Sequence, residues 1–472
     1  MREASAPTAP QKAGRDLLNG PIYPVLFSVS LPLILGNLIL SLYNLADGLW
    51  LAQLSMLEFT ATSFVWPPHY LFVSIGVGLS VAGTAIIAQL IGQKRLDQAE
   101  LYASHLFWLS AGIGTSVSFI GYFLAPSIVR WMGADPELAE KSATYLSILL
   151  AGYIFEMVYL TFYAILAAQG QTRVTTTINI ISALLNAVID PIFIFKSIPF
   201  VGLPGLGMGI AGAALATILS QFSKVLMGII AIRSSHNQVE LKLRGVPLKA
   251  HAFSELIKTG FPTALGQSSA AVGFTILNSI IIAYGQATMT AFAAVNRISD
   301  FLMMPAQGIG TAMTPIIGQN LGADKKDRVR QFVGASMLSV TIIGIAAGLL
   351  QWFFRYPLLS LFLRDTSQAA NSVWAQAVEY SAYSAVLTVT MGYFGLFSGI
   401  FNGSGYPRYS AYLSISRLWV VRIPMIFAFQ RLTQMGSEAV WISMLASNVL
   451  IDLFGLALFL KGKWFREPKL RH

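Results

Sequence analysis

The chain has no cysteine among its 472 residues, and only 11% of them are charged. Lack of cysteine excludes disulfides, zinc ribbons and redox pairs. The histidines (His69, His105, His236, His251, His472) show no metal-ligand spacing, so no transition-metal site is expected. No G-x-x-x-x-G-K-[ST] run occurs and no soluble domain exists to hold one, which excludes an ATP-driven pump and argues against an enzyme. No loop resembles a selectivity filter, which removes a channel. The net charge is +10, but the basic residues lie mainly in short loops between apolar runs, so neither a nucleic-acid partner nor a cofactor is expected.

What is present is apolar. Hydrophobic residues make up 55% of the chain, its mean hydropathy is +0.64, and a soluble domain carries roughly 25% charged residues. An all-α integral membrane protein follows. A spanning helix needs ~20 mostly apolar residues, and twelve such runs occur: 22–51, 60–91, 101–123, 143–167, 174–195, 207–232, 254–283, 289–318, 330–353, 373–400, 409–430 and 437–460. The strict alternation of a β-barrel is absent, and the first run is too long for a signal-peptide core. With the N-terminus inside, the inner segments hold 20 Lys and Arg and the outer loops 6. The positive-inside rule then places both termini in the cytoplasm of a multi-pass inner (plasma) membrane protein. The expected organisation is a cytoplasmic tail over 1–20, disordered by composition, a six-helix lobe over 21–232 and a linker over 233–253. A second six-helix lobe over 254–460 and a basic tail over 461–472 complete it.

The halves repeat. Gln89-Leu-Ile-Gly92 before Asp97 matches Gln319-Asn-Leu-Gly322 before Asp327 at an offset of 230, as Leu31-Pro32 with Gly36 matches Phe261-Pro262 with Gly266. Gly170-Gln-Thr-Arg173 matches Gly405-Tyr-Pro-Arg408 at 235, and Gly209 matches Gly436 at 227. Two parallel six-helix repeats result, and such transporters place the substrate route between repeats and rock one against the other. The acids break the symmetry: Asp47 maps onto Leu277, and Asp190 onto Ile423 or Met425.

Asp47 and Asp190 lie in the outer parts of the first and fifth spans, level with Tyr145 and Thr217 on the fourth and sixth. Tyr43 and Asp47 share a helix face, with Asn44 one step round; Asn186 and Asp190 share another. A carboxylate here either holds a proton or binds a cation, and intramembrane acids are functional by default. The bland alternative is a neutral acid hydrogen-bonded to a carbonyl that merely joins helices, as Tyr145, Asn186 and Thr217 alone would be read. Pro32 gives the first helix a hinge or a static kink, and Pro191 frees a carbonyl after Asp190. Glu156 reads equally as structure or as a second proton site. Arg417 and Arg422, about 140° apart on an α-helical wheel, are expected to pair with Asp452 or Asp300 or to meet an anionic substrate. Arg297 and Asp300 are expected to form a local pair, and His69 to be a packed core histidine.

Tyr43-Asn-Leu-Ala-Asp47-Gly, Gln89-Leu-Ile-Gly92, Tyr145-x-x-x-Leu-Leu-Ala-Gly152, Asn186-x-x-x-Asp190-Pro-Ile-Phe and Gly212-Ala-Ala-x-Ala-Thr217 together resemble the multidrug and toxic compound extrusion family. The branch is the one named after the DNA-damage-inducible protein, and the resemblance runs from Pro21 to about Lys461. It implies a two-lobed antiporter that exports lipophilic or cationic organic compounds against inward H⁺ or Na⁺. Asp47, Asn186, Asp190 and Thr217 would be the ion-coupling residues (the ligands of Na⁺ if sodium is used), with Tyr43, Asn44 and Tyr145 in the supporting network. The other large branch carries a carboxylate where this chain has Ala270, so no ion site is expected in the C-terminal lobe. The expected partners are small organic cations or amphiphiles and the lipid bilayer, with the chain a monomer. A flippase for lipids or lipid-linked sugars, of the same fold superfamily, is the alternative; Arg417 and Arg422 favour it and the acids of the first lobe oppose it.

Overall fold

Most of the apolar runs become helices longer than the runs themselves. The computed structural model describes residues 16–199, 202–234, 237–363 and 368–466, and within these not the side chains of 43–49, 52, 56, 368–370 and 466. The N-terminal half holds α1 (Ile22–Leu54), α2 (Met56–Gly92), α3 (Leu96–Trp131), α4 (Pro136–Ala151 and Tyr153–Ala168), α5 (Thr172–Ile194) and α6 (Ile210–Ile232). The C-terminal half holds α7 (Ala250–Ala283), α8 (Gln286–Gly322), α9 (Lys326–Phe353), α10 (Gln368–Gly403), α11 (Pro407–Leu432) and α12 (Glu438–Leu460). Short helices at Arg355–Ser360 and Lys463–Arg466 add to these. Among the described residues ten helices are long and apolar enough to span a membrane, and the two pieces of α4 make an eleventh. The twelfth, α8, is buried along most of its C-terminal half, from Ala312 to Leu321. Protein rather than lipid surrounds it there, which explains its glycine, threonine and glutamine content. Outward-facing Phe119, Phe123, Leu184, Val188, Ile230 and Phe353 are well exposed, as side chains meeting hydrocarbon must be.

Two spans depart from regular α-helix. α4 bends by 46° at Gly152, where a Cβ would come within 2.4 Å of Ile218 on α6; the missing side chain lets the two helices approach. α11 changes to a π-helix over Ser416–Arg422. Neither break is visible as an interruption of hydropathy. The chain is also ordered before Pro21: the carbonyl of Leu17 accepts from Asn320 and Arg328, and Arg328 donates to the carbonyl of Gly20 at 2.7 Å. Leu17 is buried against Gly170 of the first lobe, so residues 16–20 belong to the packed structure rather than to a tail. The linker is likewise anchored, with the Lys249 amide donating to His105 at 2.8 Å and Lys242 paired to Glu100 at 2.6 Å.

The lobes meet through the repeated glutamine–glycine motifs. At Gly92 a Cβ would lie 2.1 Å from the carbonyl of Gln319, and at Gly322 one would lie 2.1 Å from the carbonyl of Gln89. The same contact is thus made twice, once from each repeat. Gln89 Nε2 donates to the Gly403 carbonyl at 2.8 Å, and Gln319 Nε2 donates to the Ala168 carbonyl at 2.6 Å, the matching helix end of the other half. Gly78 packs on Ala264 of α7, and Gly308 packs on Ile34 of α1, each pair the counterpart of the other at an offset of 230. The lower part of α1 (Val25, Leu26, Val29, Leu33) joins the apolar core of α8 to α10 and so crosses between lobes.

This crossing predicts opposite outcomes for similar substitutions. Gly92→Ala and Gly322→Ala drive a methyl into backbone and should each cost about 1–3 kcal/mol. Gly112→Ala, with nothing within 4 Å of the added carbon, should be neutral or gain up to about 1 kcal/mol of helix propensity. Thermal unfolding of the purified variants in detergent checks the order; equal midpoints for all three would refute the tight crossing.

Candidate functional site

Each lobe holds a polar cavity between its helices. In the N-terminal lobe the helix faces set it. On α6, Thr217, Gln221 and Lys224 are four and three apart, hence on one face; on α5, Thr176, Asn179, Ala183 and Asn186 do the same. With Leu33 and Gly36 of α1, His69 of α2 and Tyr145 of α4 they line a cavity of about 360 Å³. Asn186 is 1% exposed, and neither its Oδ1 nor its Nδ2 has a hydrogen-bond partner among the described residues. A buried amide of that kind is costly unless something else fills its valences. Thr217 donates its hydroxyl to the Ala213 carbonyl at 3.0 Å, leaving its oxygen able to accept or to ligate. Asp190, one helical turn beyond Asn186 on α5, is fully buried.

Three of the expected residues, Tyr145, Asn186 and Thr217, therefore line one cavity, and Asp190 adjoins through its helix. The side chains of Tyr43, Asn44 and Asp47 lie outside the described residues, although α1 passes through them as unbroken helix. Pro32 sits within that helix, next to Leu33 of the cavity wall. Among the described residues no three His, Asp or Glu side chains converge as a metal site.

Sequence reasoning missed half of this cavity. Lys224 and Gln221 carried a usable signal, since with Thr217 they form a polar face in an apolar span. His69, expected in the core, is half-buried and faces the cavity. Glu156 and Lys224 share a side chamber of about 180 Å³ with Tyr159 and Asn179, where the Tyr159 hydroxyl donates to Asn179 Oδ1 at 2.8 Å.

The C-terminal lobe holds a cavity of about 400 Å³ between α7, α8, α10, α11 and α12, the counterparts of the five helices around the first. Arg417 and Arg422 both line it, at 5% and 2% exposure. The pairings expected for them are not formed: among the described residues neither makes an ion pair with Asp452 or Asp300. Arg422 donates instead to Ser447 Oγ at 2.9 Å and Asn448 Oδ1 at 2.7 Å, and Arg417 stacks on Phe394 at 4.3 Å. Arg297 and Asp300 likewise form no ion pair, so that expectation is also corrected.

Comparison with known proteins agrees with the architecture. The MatE family profile matches residues 32–192 and 262–428, one copy in each half. A probable multidrug resistance protein NorM from Thermotoga maritima is 23% identical over 450 residues, 94% of each chain. An FAD transporter from Shewanella oneidensis is 24% identical over 463 residues, covering 97% of this chain and 98% of its own. A solved outward-facing multidrug resistance MATE transporter of the MOP superfamily superposes with a TM-score of 0.87 at 25% identity, over 95% of this chain and 97% of that one. With twelve helices in two lobes and a profile match covering most of its length, the chain belongs to the MatE family of membrane transporters, which are not enzymes.

Proposed function

We propose that the chain is a secondary antiporter that exports lipophilic or cationic organic compounds in exchange for H⁺ or Na⁺. Its coupling site is the N-terminal cavity, with Asp47, Asn186, Asp190 and Thr217 taking the ion and Tyr43, Asn44 and Tyr145 supporting them. The observation that carries this reading is the buried amide of Asn186 on a cavity wall, without a partner among the described residues and one turn from the buried Asp190. Ion uptake there satisfies polar groups that are otherwise costly, so it has the differential free energy needed to bias one lobe arrangement over another. Pro32, beside the wall, is the hinge of α1. The chain works as a monomer in the inner membrane.

In proteoliposomes under an imposed ΔpH or ΔNa⁺, wild type should extrude a lipophilic cation. Asp47→Asn and Asp190→Asn should lose at least tenfold of that coupled rate, and Asn186→Ala should follow, while all three insert and fold. Undiminished gradient-driven efflux in both aspartate variants would remove the proposed site.

Both termini are proposed to face the cytoplasm. The natural absence of cysteine makes this directly measurable. A membrane-impermeant maleimide added to intact cells should label Glu137→Cys and spare Arg244→Cys until the cells are opened; the reverse pattern would invert the topology.

One observation favours a second reading, a flippase for lipids or lipid-linked sugars: the buried Arg417 and Arg422 of the other lobe. The Shewanella oneidensis relative's name, FAD transporter, denotes a pyrophosphate-bearing cargo. Lipid scrambling without cation efflux would select this reading.

A further inference from the structure

The two cavities occupy equivalent places but differ in their charged groups, Lys224 and His69 in the first and Arg417, Arg422 and Asp300 in the second. Thr62, Trp66 and His69 on α2 correspond to Phe292, Asn296 and Ser299 on α8 at the offset of 230, and all six line their cavities. Tyr145 corresponds to Tyr380 at 235, and Gln221 to Asn448 at 227. Where the first cavity has Ser182 on α5, the second has Arg417 on α11, again at 235. The π-helical segment then intervenes. An α-helix would turn residues five apart to different faces, but the i→i+5 pattern stacks them nearly one above the other. Counting the single residue such a turn adds, Arg422 comes to the place of Asn186. The π turn is therefore what aims both guanidinium groups into one chamber, and π turns of this kind are frequent at functional sites.

The two cations are not neutralised by contact. A guanidinium has five N–H donors. Arg422 uses two on neutral acceptors, and Arg417 gives one to the Met391 sulfur at 2.7 Å, while its buried Nε has no partner among the described residues. Asp300 lines the same cavity and Asp452 lies nearby, but neither is within ion-pair distance. The rest of the wall is mixed: amides and hydroxyls (Asn278, Asn296, Ser384, Thr388) interrupt an apolar side on which Phe292 and Tyr380 stack 5.6 Å apart with Met303 and Met444. Such a chamber suits a ligand with an anionic head and an apolar body.

We propose that the C-terminal cavity is a binding site for amphiphilic anions, with a phosphate or carboxylate held between Arg417 and Arg422 and the hydrocarbon portion against the Phe292–Tyr380–methionine wall. The proposal rests on the reading of the chain as an exporter of amphiphiles and extends its substrates to anions; it does not depend on the ion site of the other lobe. The anionic group has two sources, a free amphiphile or the headgroup of a phospholipid.

The test is equilibrium binding of dodecyl phosphate to the purified full-length chain in a non-ionic detergent, with no gradient, so that failure of ion coupling cannot affect it. Wild type should bind it saturably. Dodecyltrimethylammonium of the same chain length should not displace it, and inorganic phosphate should compete only weakly. Arg417→Gln with Arg422→Gln should weaken binding at least tenfold, the loss of charge-assisted hydrogen bonds, and Arg417→Lys with Arg422→Lys should recover part of it. Mass spectrometry after extraction from phosphatidylglycerol vesicles separates the sources. Phosphatidylglycerol retained by wild type and lost from the glutamine variant identifies a lipid ligand; dodecyl phosphate binding without retained lipid identifies a free amphiphile. If wild type prefers the dodecyl cation over the dodecyl phosphate, or a folded glutamine variant binds the phosphate as tightly as wild type, the proposal fails. The first of these comparisons needs no variant.

Discussion

A charge or unpaired polar group placed inside a helical bundle in hydrocarbon has to be met by something, because water is not there to do it. That requirement governs this molecule more than any packing detail. Insertion costs of roughly 2.5–3.5 kcal/mol per charged residue are large against the marginal stability of a folded chain, about 5–15 kcal/mol. Polar residues that persist in such positions are therefore concentrated where a ligand, an ion or another helix can satisfy them. Here they gather in two chambers, one in each lobe, and the exposed outer faces of the helices are left to Phe, Leu, Ile and Val.

The duplicated backbone explains why the chambers are two and why they match. The crossing of α2 and α8 at Gly92 and Gly322 brings carbonyls to where a Cβ would sit, and the flanking glutamines each reach a carbonyl at a helix end, one in each lobe. Atoms this close leave no tolerance for side chains, so both repeats keep the same glycine–glutamine spacing. The chambers lie away from that crossing and are free of the same restriction. Divergence there has left amides with one lysine in the first and a pair of guanidinium groups with Asp300 in the second.

The scaffold was legible in the sequence because hydropathy and loop charge act over whole spans. The twelve runs, the 230-residue offset and the asymmetric acids are each carried by many residues or by spacings that chance does not supply. Part of the first site was legible for the same reason: Asn186 and Asp190 share a face, and the level of Tyr145 and Thr217 followed from the direction of their helices. Lys224 was not, since a lone lysine in a span reads as an edge charge until Thr217 and Gln221 are set on the same face. Arg417 and Arg422 were misplaced for a different reason. Their wheel angle presumed α-helix, and a π turn changes the angle without changing hydropathy or composition. The bend at Gly152 escaped in the same way, because it depends on Ile218 of another helix.

Differently charged linings in equivalent chambers bear on the division of labour proposed for the two lobes. If both lobes carried the same ion site, the uptake of an ion would strain both equally and give no preferred sense of rocking. Under the proposed reading a small cation is taken in the first lobe, where Asp190 adjoins Asn186, and the paired guanidinium groups of the other lobe are left to meet what is carried. Arginines are suited to that task, because a guanidinium stays charged at any pH the cell reaches and so does not compete for the protons that an acid in the partner lobe would exchange. The π turn of α11 sets the two arginines in one chamber with a single added residue, and it lies away from the Gly92–Gly322 crossing between the lobes.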